Sequence, residues 1–167
     1  YYRVHAQEFG WLGWAKNGES AGTAGYSYRL EAIEVKLVEK GGKAPGSTQD
    51  AYRQRYVSYQ THVQDIGWQG YVKDGSTAGT TGQSKRLEAI RIKLSNNTSY
   101  KGTIQYQTHI QDIGWQGWKM NDDTSGTSGQ SKRLEAIRIK LTDELAENYD
   151  IYYRVHAQEF GWLGWAK

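Results

Sequence analysis

The chain of 167 residues contains no cysteine, a single proline and no long apolar run. Without cysteine, neither a disulfide framework nor a thiolate metal site is possible. No stretch approaches the roughly 18 apolar residues that a membrane-spanning helix needs, so we expect no membrane insertion. The net charge is only +3, and basic residues alternate with acidic ones instead of forming a basic stripe. This distribution argues against nucleic acid as a partner.

Tryptophan and tyrosine dominate the large side chains. Seven Trp and thirteen Tyr stand against two Phe and one Met, so most large apolar groups carry a polar atom that needs a hydrogen-bond partner. The twenty glycines favour turn-rich β-structure, because glycine reaches positive φ at low cost and weakens helices. The composition predicts an ordered all-β protein with a largely aromatic core.

A repeated segment organises the sequence. Its frame is H-x-Q-x-x-G-W-x-G-(W/Y), followed by a Gly-Thr-x-Gly loop and the run R-L-E-A-I-x-(I/V)-K-L. Its histidines are His5, His62, His109 and His156, spaced by 57, 47 and 47 residues. Residues 152–167 repeat residues 1–16 letter for letter. Periods of this length are typical of arrays, propellers and closed pseudo-symmetric domains.

The repeats predict a pseudo-threefold domain. Complete repeats span about 1–37, 57–94 and 104–141, and a spacer at 38–56 follows the first. Three β-rich repeats of about 47 residues favour closure as a β-trefoil or β-prism, because closure removes exposed strand edges. An open stack of β repeats is the alternative. We expect one domain over 1–151, with 152–167 as a partial fourth repeat that either begins a next domain or completes this one.

Each repeat predicts three strands, which in the second repeat are Tyr59–Gln64, Trp68–Lys73 and Arg86–Leu94. The first strand alternates apolar and polar residues, which places them on opposite faces. In the third strand the apolar positions change face near Ala89 and Ile90, which indicates either a bulge or a strand that passes between two sheets. The sequence SNNTS at 95–99 predicts a turn that joins this strand to the next repeat in a hairpin.

The segment HVQDIGWQGYVKDGSTAGTTGQSKRLEAIRIKL, His62–Leu94, resembles the clostridial hydrophobic repeat with a characteristic tryptophan, the ChW repeat. All three complete repeats share its G-W, G-T-x-G and R-L-E-A-I elements, and the partial repeat matches as far as it extends. The resemblance implies an extracellular or cell-surface protein of a Gram-positive bacterium. It also implies adhesion or the binding of an extracellular polymer.

Two aromatic residues three positions apart recur in every repeat. Residues three apart in a strand face opposite sides, so we expect the first aromatic in the core and the second outside or toward a neighbouring repeat. The alternative is that both aromatics serve packing. The outer set can stack on sugar rings or contact a partner protein. The pairs are Trp11 and Trp14, Trp68 and Tyr71, Trp115 and Trp118, Trp162 and Trp165. The candidate contact residues are therefore Trp14, Tyr71, Trp118 and Trp165.

The repeated histidines favour a structural network over a metal site. Threefold closure would gather three imidazoles, as zinc requires, but a histidine beside glutamine and near an Arg-Leu-Glu triplet is better explained by hydrogen bonding. Arg and Glu two apart on a strand are expected to brace each other. Asp122 and Asp123 lack the ligand spacing of a calcium loop, so no metal or other cofactor is predicted. The predicted network comprises His5, His62, His109, His156, Arg29, Glu31, Arg86, Glu88, Arg133 and Glu135.

The repetition also argues against an enzyme. Catalysis brings different groups to one asymmetric site, whereas here each reactive residue type recurs in every repeat. No G-x-S-x-G, H-E-x-x-H or P-loop motif occurs, and no catalytic residue is predicted. Two functions remain. The first is an adhesion module that binds an extracellular glycan or cell-surface polymer with avidity across repeats. The second is a stalk or filament in which neighbouring copies of the domain contact each other.

Overall fold

The computed structural model describes residues 1–95 and 100–167, which consist mainly of short β-strands. The described residues form five small sheets, none closed into a barrel, and one six-residue helix, α1 (Asp143–Asn148). The all-β prediction is thereby confirmed. The chain has two compact units: unit 1 is Tyr1–Arg55 with Ser95, and unit 2 is Tyr56–Leu94 with Tyr100–Lys167. The predicted domain over 1–151 stays a prediction.

Unit 1 contains the first repeat and most of the spacer. Its strands are β1 (Tyr2–Ala6), β2 (Gly10–Trp11), β3 (Gly22–Ala24), β4 (Leu30–Val35) and β5 (Tyr52–Gln54). Strand β1 lies between β2 and β4 in an antiparallel sheet, while β3 pairs in parallel with β5 of the spacer. Its small core consists of Val4, Ala6 and Leu12, with Phe9 and Ala21 packed against them.

Unit 2 contains the second and third repeats and the C-terminal segment. Strand β6 pairs with β7, β8 and β9, and β10 pairs with β11, β12 and β14. The strands are β6 (Val57–Val63), β7 (Gly67–Trp68), β8 (Val72–Lys73), β9 (Leu87–Leu94), β10 (Ile104–Ile110), β11 (Gly114–Trp115), β12 (Lys119–Met120), β13 (Ser125–Gly126), β14 (Leu134–Leu141), β15 (His156–Ala157) and β16 (Gly161–Trp162). The partial repeat thus forms only the hairpin β15–β16.

The third repeat is hydrogen-bonded to the second through β13. This strand pairs with the edge of β9 that β6 leaves open. On either side, the Asp122 amide donates to the Ile92 carbonyl at 3.0 Å, and the Thr127 amide donates to the Glu88 carbonyl at 2.9 Å. The predicted hairpin between β9 and β10 is wrong, because β10 pairs with β14 instead. Its turn residues 96–99 lie outside the described residues.

Each main strand pair contains the predicted bulge. In the second repeat His62 faces Ala89 and Val63 faces Leu87, so Glu88 has no partner on β6. The same shift occurs after His5 and after His109. An extra residue reverses which side chains face outward. The bulge therefore brings the glutamate of R-L-E to the same face as the histidine, and in unit 2 the following isoleucines face the core.

The core of unit 2 is formed by aliphatic side chains and tyrosine. Ile92, Ile104 and Tyr106 are buried together, and aliphatic residues of β6, β9 and β14 pack around them. Neither hydrophobic cluster of the described residues contains a tryptophan. In unit 2 the expected aromatic core is therefore supplied by tyrosine, whereas Trp115, Trp118, Trp162 and Trp165 are exposed.

A cavity of about 490 Å³ lies within unit 2. Isoleucines of β9 and β14 line one side, and the C-terminal segment from Asp150 onward lines the other. In the described part of the chain, no helix is long and apolar enough to cross a membrane.

Candidate binding surface

The two aromatics of the second repeat lie on one side of its sheet. Arg91 and Lys93 alternate along β9 and share its outer face, where the Arg91 guanidinium carbon lies 4.4 Å from the Trp68 ring centroid. The Lys93 Nζ lies 3.8 Å from the Tyr71 ring centroid. Strand β7 ends at Trp68, so strand alternation does not continue to Tyr71. The expected core position of the first aromatic is wrong.

The other repeats place cations over the same rings. In the third repeat, Arg138 lies 4.2 Å from the Trp115 centroid and the Lys140 Nζ lies 4.3 Å from that of Trp118. In the first repeat and the C-terminal segment, a single arginine covers both rings at 4.8 to 4.9 Å. We call each such set an aromatic–cation face. The four faces are Trp11, Trp14 and Arg3; Trp68, Tyr71, Arg91 and Lys93; Trp115, Trp118, Arg138 and Lys140; Trp162, Trp165 and Arg154.

Most of the rings are accessible to solvent. Trp11, Trp115 and Trp162 are exposed, and Trp68 is half-buried. Of the second aromatics, Tyr71 and Trp118 are exposed, and Trp165 is exposed to 56%. An indole that carries a cation and still faces solvent offers both stacking area and positive charge to a ligand.

The sequence analysis missed the cations, although the repeats contain a signal for them. Arg3 faces Glu34 across β1 and β4, and its Nε donates to a Glu34 carboxylate oxygen at 2.7 Å. In the second repeat the facing residues are Gln60 and Arg91. The arginine has changed strands but still covers the first tryptophan. The facing pair Arg and Glu of the first repeat is thus replaced by Gln and Arg in the second. An alignment of the repeats with each other would have shown this paired change and identified the arginine that covers the tryptophan.

The predicted network lies behind the first tryptophan. Each histidine ring meets the indole edge-on with centroids 5.5 Å apart, in all four copies. In the complete repeats the histidine Nδ1 lies 3.1 to 3.2 Å from a glutamate oxygen, and the arginine two residues before that glutamate binds its other oxygen. The pairs are His5 with Glu31 and Arg29, His62 with Glu88 and Arg86, and His109 with Glu135 and Arg133. His156 keeps only the contact with Trp162 among these.

The three networks differ in burial. Glu88 is only 5% exposed, whereas Glu31 and Glu135 are close to one-third exposed. The β13 segment runs along β9 beside Glu88, and no corresponding segment of the described chain pairs with β14. No group of three metal-ligating side chains occurs among the described residues. The His109 Nδ1 is hydrogen-bonded to Glu135, and in each complete repeat an Arg–Glu ion pair lies beside the histidine that meets the indole.

We expect Arg86→Ala to lower the free energy of unfolding by about 2 to 4 kcal/mol, because it leaves the buried Glu88 carboxylate without its guanidinium. The matched variant is Arg133→Ala, whose partner Glu135 is about one-third exposed. Solvent screens that pair, so its loss should cost less than about 1 kcal/mol. Urea unfolding of both variants measures the difference. Equal losses would show that burial of Glu88 does not matter.

Trp14 is the exception among the second aromatics, because it is only 7% exposed. The spacer covers it: the Trp14 amide donates to the Ser47 carbonyl at 2.8 Å, and a Cβ on Gly46 would lie 3.0 Å from the indole Nε1. Trp14 is therefore not available as the contact residue that the sequence predicted. The first repeat has its aromatic–cation face partly occupied by its own chain.

Gly13 should be required for this packing. A Cβ at Gly13 would fall on the Gln49 backbone, 2.9 Å from the carbonyl carbon and closer still to the oxygen. We expect Gly13→Ala to displace the spacer, destabilise unit 1 by about 1 to 3 kcal/mol and expose Trp14 to acrylamide quenching. Gly117→Ala is the matched control, since nothing lies within 4 Å of a Cβ there. Identical quenching in the two variants would contradict the spacer contact.

Tyr71 is also held from the third repeat. Its hydroxyl donates to Asp122, whose second oxygen accepts from Lys93 at 3.2 Å. Burial and then the Asp122 contact raise the pKa of Tyr71. Desolvation opposes the charged form of Lys93, but its hydrogen bond to Asp122 prevails and raises the Lys93 pKa. The face of the second repeat is therefore fixed in place, with its ring still exposed.

The comparison with known families agrees with this division into repeats. The family model described as Clostridial hydrophobic W, ChW, matches residues 5–39, 62–96 and 109–143. No curated protein sequence and no solved structure matches the chain. The three matches cover more than half of the chain and coincide with its three complete repeats. The predicted resemblance is confirmed, and the chain belongs to the Clostridial hydrophobic W family as a tandem ChW-repeat protein.

Proposed function

We propose that this chain is a non-enzymatic module, secreted by or attached to the surface of a Gram-positive bacterium, that binds an extracellular glycan or related polymer. The observation that carries the proposal is the aromatic–cation face, repeated along the chain with its rings exposed. Adhesion is the role that such a module would serve.

The chemistry of the face favours a polymer with negative charge. Indole and phenol rings stack on the apolar face of a sugar ring. The arginine and lysine beside each ring attract carboxylate, sulfate or phosphate groups at short range. A polyuronate or a phosphate-bearing cell-wall polymer offers both features at a regular spacing, which a neutral glycan does not.

Repetition supports binding by avidity. The faces of Trp115 with Trp118 and of Trp162 with Trp165 are both open, and that of Tyr71 is partly open. One polymer chain that contacts several shallow sites gains affinity far beyond that of each site. The same repetition supports a non-enzymatic role, because each reactive residue type recurs in every repeat, whereas catalysis brings different groups to one asymmetric site.

We also propose that the repeats close with threefold symmetry in the manner of a β-prism. In support, apolar residues of β9, of β14 and of the C-terminal segment face one cavity in unit 2, as three blades would. The open stack remains the alternative arrangement.

A binding screen tests the proposed function. The full chain is sedimented with insoluble peptidoglycan and titrated with a soluble polyuronate and a neutral β-glucan. We expect binding to an anionic polymer. The affinity should fall as salt rises, because salt screens the attraction between the arginine and lysine side chains and the charges of the polymer. Failure to bind any extracellular polymer at low salt would contradict the proposal.

A further inference from the structure

Unit 1 presents an apolar strand that the described residues leave exposed. Ile33 is 64% exposed and Val35 is 71% exposed, and Leu37 just after β4 is 97% exposed. The corresponding residues of the second repeat, Ile90, Ile92 and Leu94, belong to the hydrophobic cluster of unit 2, as do Ile137, Ile139 and Leu141 of the third. The apolar face of the R-L-E-A-I strand is therefore packed in the second and third repeats, in β9 and β14, and exposed to solvent in the first, in β4.

Unit 2 presents an apolar cavity that no strand of the described chain fills. Ile90, Ile92, Ile137 and Ile139 line it on one side, and Tyr153 and Val155 line it on the other. In the complete repeats, the strand that contains the histidine pairs with an R-L-E-A-I strand. Strand β15, which contains His156, pairs only with β16 among the described residues. By analogy with the second and third repeats, whose isoleucines line the cavity, the isoleucines of a strand paired with this segment would face it too.

Sequence identity connects the two features. Residues 1–16 and 152–167 are the same, and residues 1–16 already pair with a strand of the required kind, β4. The register is defined: Tyr2 faces Val35 and Val4 faces Ile33. Every copy of the chain therefore contains a second version of the segment that lines the cavity, residues 1–16. In that version the segment is already paired with an isoleucine-bearing strand, β4.

We propose that unit 1 of a second copy takes the place of residues 152–167 and inserts the apolar face of β4 into the cavity of unit 2. The exchanged segments are identical in sequence, so the incoming copy offers the same strand to unit 2, while its Trp14 stays covered by its own spacer. The gain is the burial of Ile33, Val35 and Leu37, which drives association because it removes apolar surface from water. The contact joins two different surfaces, β4 of unit 1 in one copy and the cavity of unit 2 in the other. It is therefore heterologous and propagates head to tail. This inference does not depend on polymer binding.

The test is sedimentation velocity of the full chain over concentrations from micromolar to millimolar, without polymer. We expect a series of oligomers that grows with concentration and persists in high salt, since apolar contacts are not screened. Ile33→Asp/Val35→Asp should weaken association at least about tenfold. The control Ile66→Asp/Ile113→Asp adds the same two negative charges at exposed isoleucines outside β4 and the cavity. It should associate like the wild type.

A third variant tests the exchange itself. Val155 lines the cavity at the surface, and Val155→Asp weakens only the resident segment, because the incoming copy keeps the valine at the equivalent position, Val4, in the core of its own unit 1. We expect tighter association, about tenfold. Weaker association of Val155→Asp would overturn the exchange. A chain that stays monomeric at every concentration, or an Ile33→Asp/Val35→Asp variant that associates like the wild type, would overturn the proposal as a whole.

Discussion

Tyr106→Ala should be the most destabilising single substitution in unit 2, with an expected loss of about 3 to 5 kcal/mol. Tyr106 is fully buried, packs with Ile92 and Ile104, and donates its hydroxyl proton to the Asp123 carbonyl. Removal of the ring leaves a cavity between the second and third repeats and an unpaired carbonyl. Urea or thermal unfolding monitored by circular dichroism measures the loss.

Tyr59→Ala is the matched control, because Tyr59 occupies the same position in the second repeat but is only partly buried. Its loss should be smaller, about 1.5 to 3 kcal/mol. Equal losses for the two variants would show that unit 2 has no core at the interface between its repeats.

The hydroxyl of Tyr106 adds a dependence on pH. Burial raises the pKa of Tyr106 to about 12 from its ordinary value of 10. Between pH 10 and 12 the unfolded tyrosine loses its proton while the folded one keeps it, so the free energy of unfolding falls by about 1 to 3 kcal/mol. Tyr106→Phe lacks this contribution. Its stability should be lower than that of the wild type at pH 7 by about 1 kcal/mol and should approach it at alkaline pH.

Simultaneous replacement of Tyr71, Trp118 and Trp165 by alanine should weaken polymer binding about 100-fold. Each stacked ring contributes about 1 kcal/mol, and losses at linked sites multiply in the affinity. The variant should remain folded, because all three rings are exposed. Trp14 is left unchanged, since the spacer covers it.

The matched control for this variant replaces three exposed apolar residues outside the aromatic–cation faces, Tyr52, Ile113 and Phe160. It should bind like the wild type. Calorimetric titration with one soluble polymer compares the two variants at the same salt concentration. Equal weakening in both would mean that general surface hydrophobicity, and not the repeated faces, provides the binding.

The sequence predicted features that depend on local pattern. The repeat boundaries, the all-β class and the bulge beside Glu88 follow from periodicity and from the change of apolar face, which short-range sterics enforce. The family followed from the same motif. The side occupied by Trp68 was missed because the prediction assumed one continuous strand from Trp68 to Lys73, whereas the strand is interrupted at Gln69–Tyr71.

Other features depend on contacts between distant segments, which single-sequence patterns do not report. The burial of Trp14 results from a spacer without strand periodicity around Ser47. The pairing of β13 with β9 involves a two-residue strand, too short to show alternation. The cations over the indoles were detectable in principle, since Arg3 with Glu34 and Gln60 with Arg91 exchange roles between repeats.

The binding role of the aromatic–cation faces is tested most directly by the tryptophan indole N–H signals in a ¹H–¹⁵N spectrum of the full chain, recorded during titration with the polymer that binds. The exposed indoles of Trp115, Trp118, Trp162 and Trp165 should shift in a saturable way. The Trp14 signal should stay in place, because its indole lies under the spacer. Saturable binding that leaves the four exposed indole signals unmoved would contradict the assignment of these faces as the binding surface.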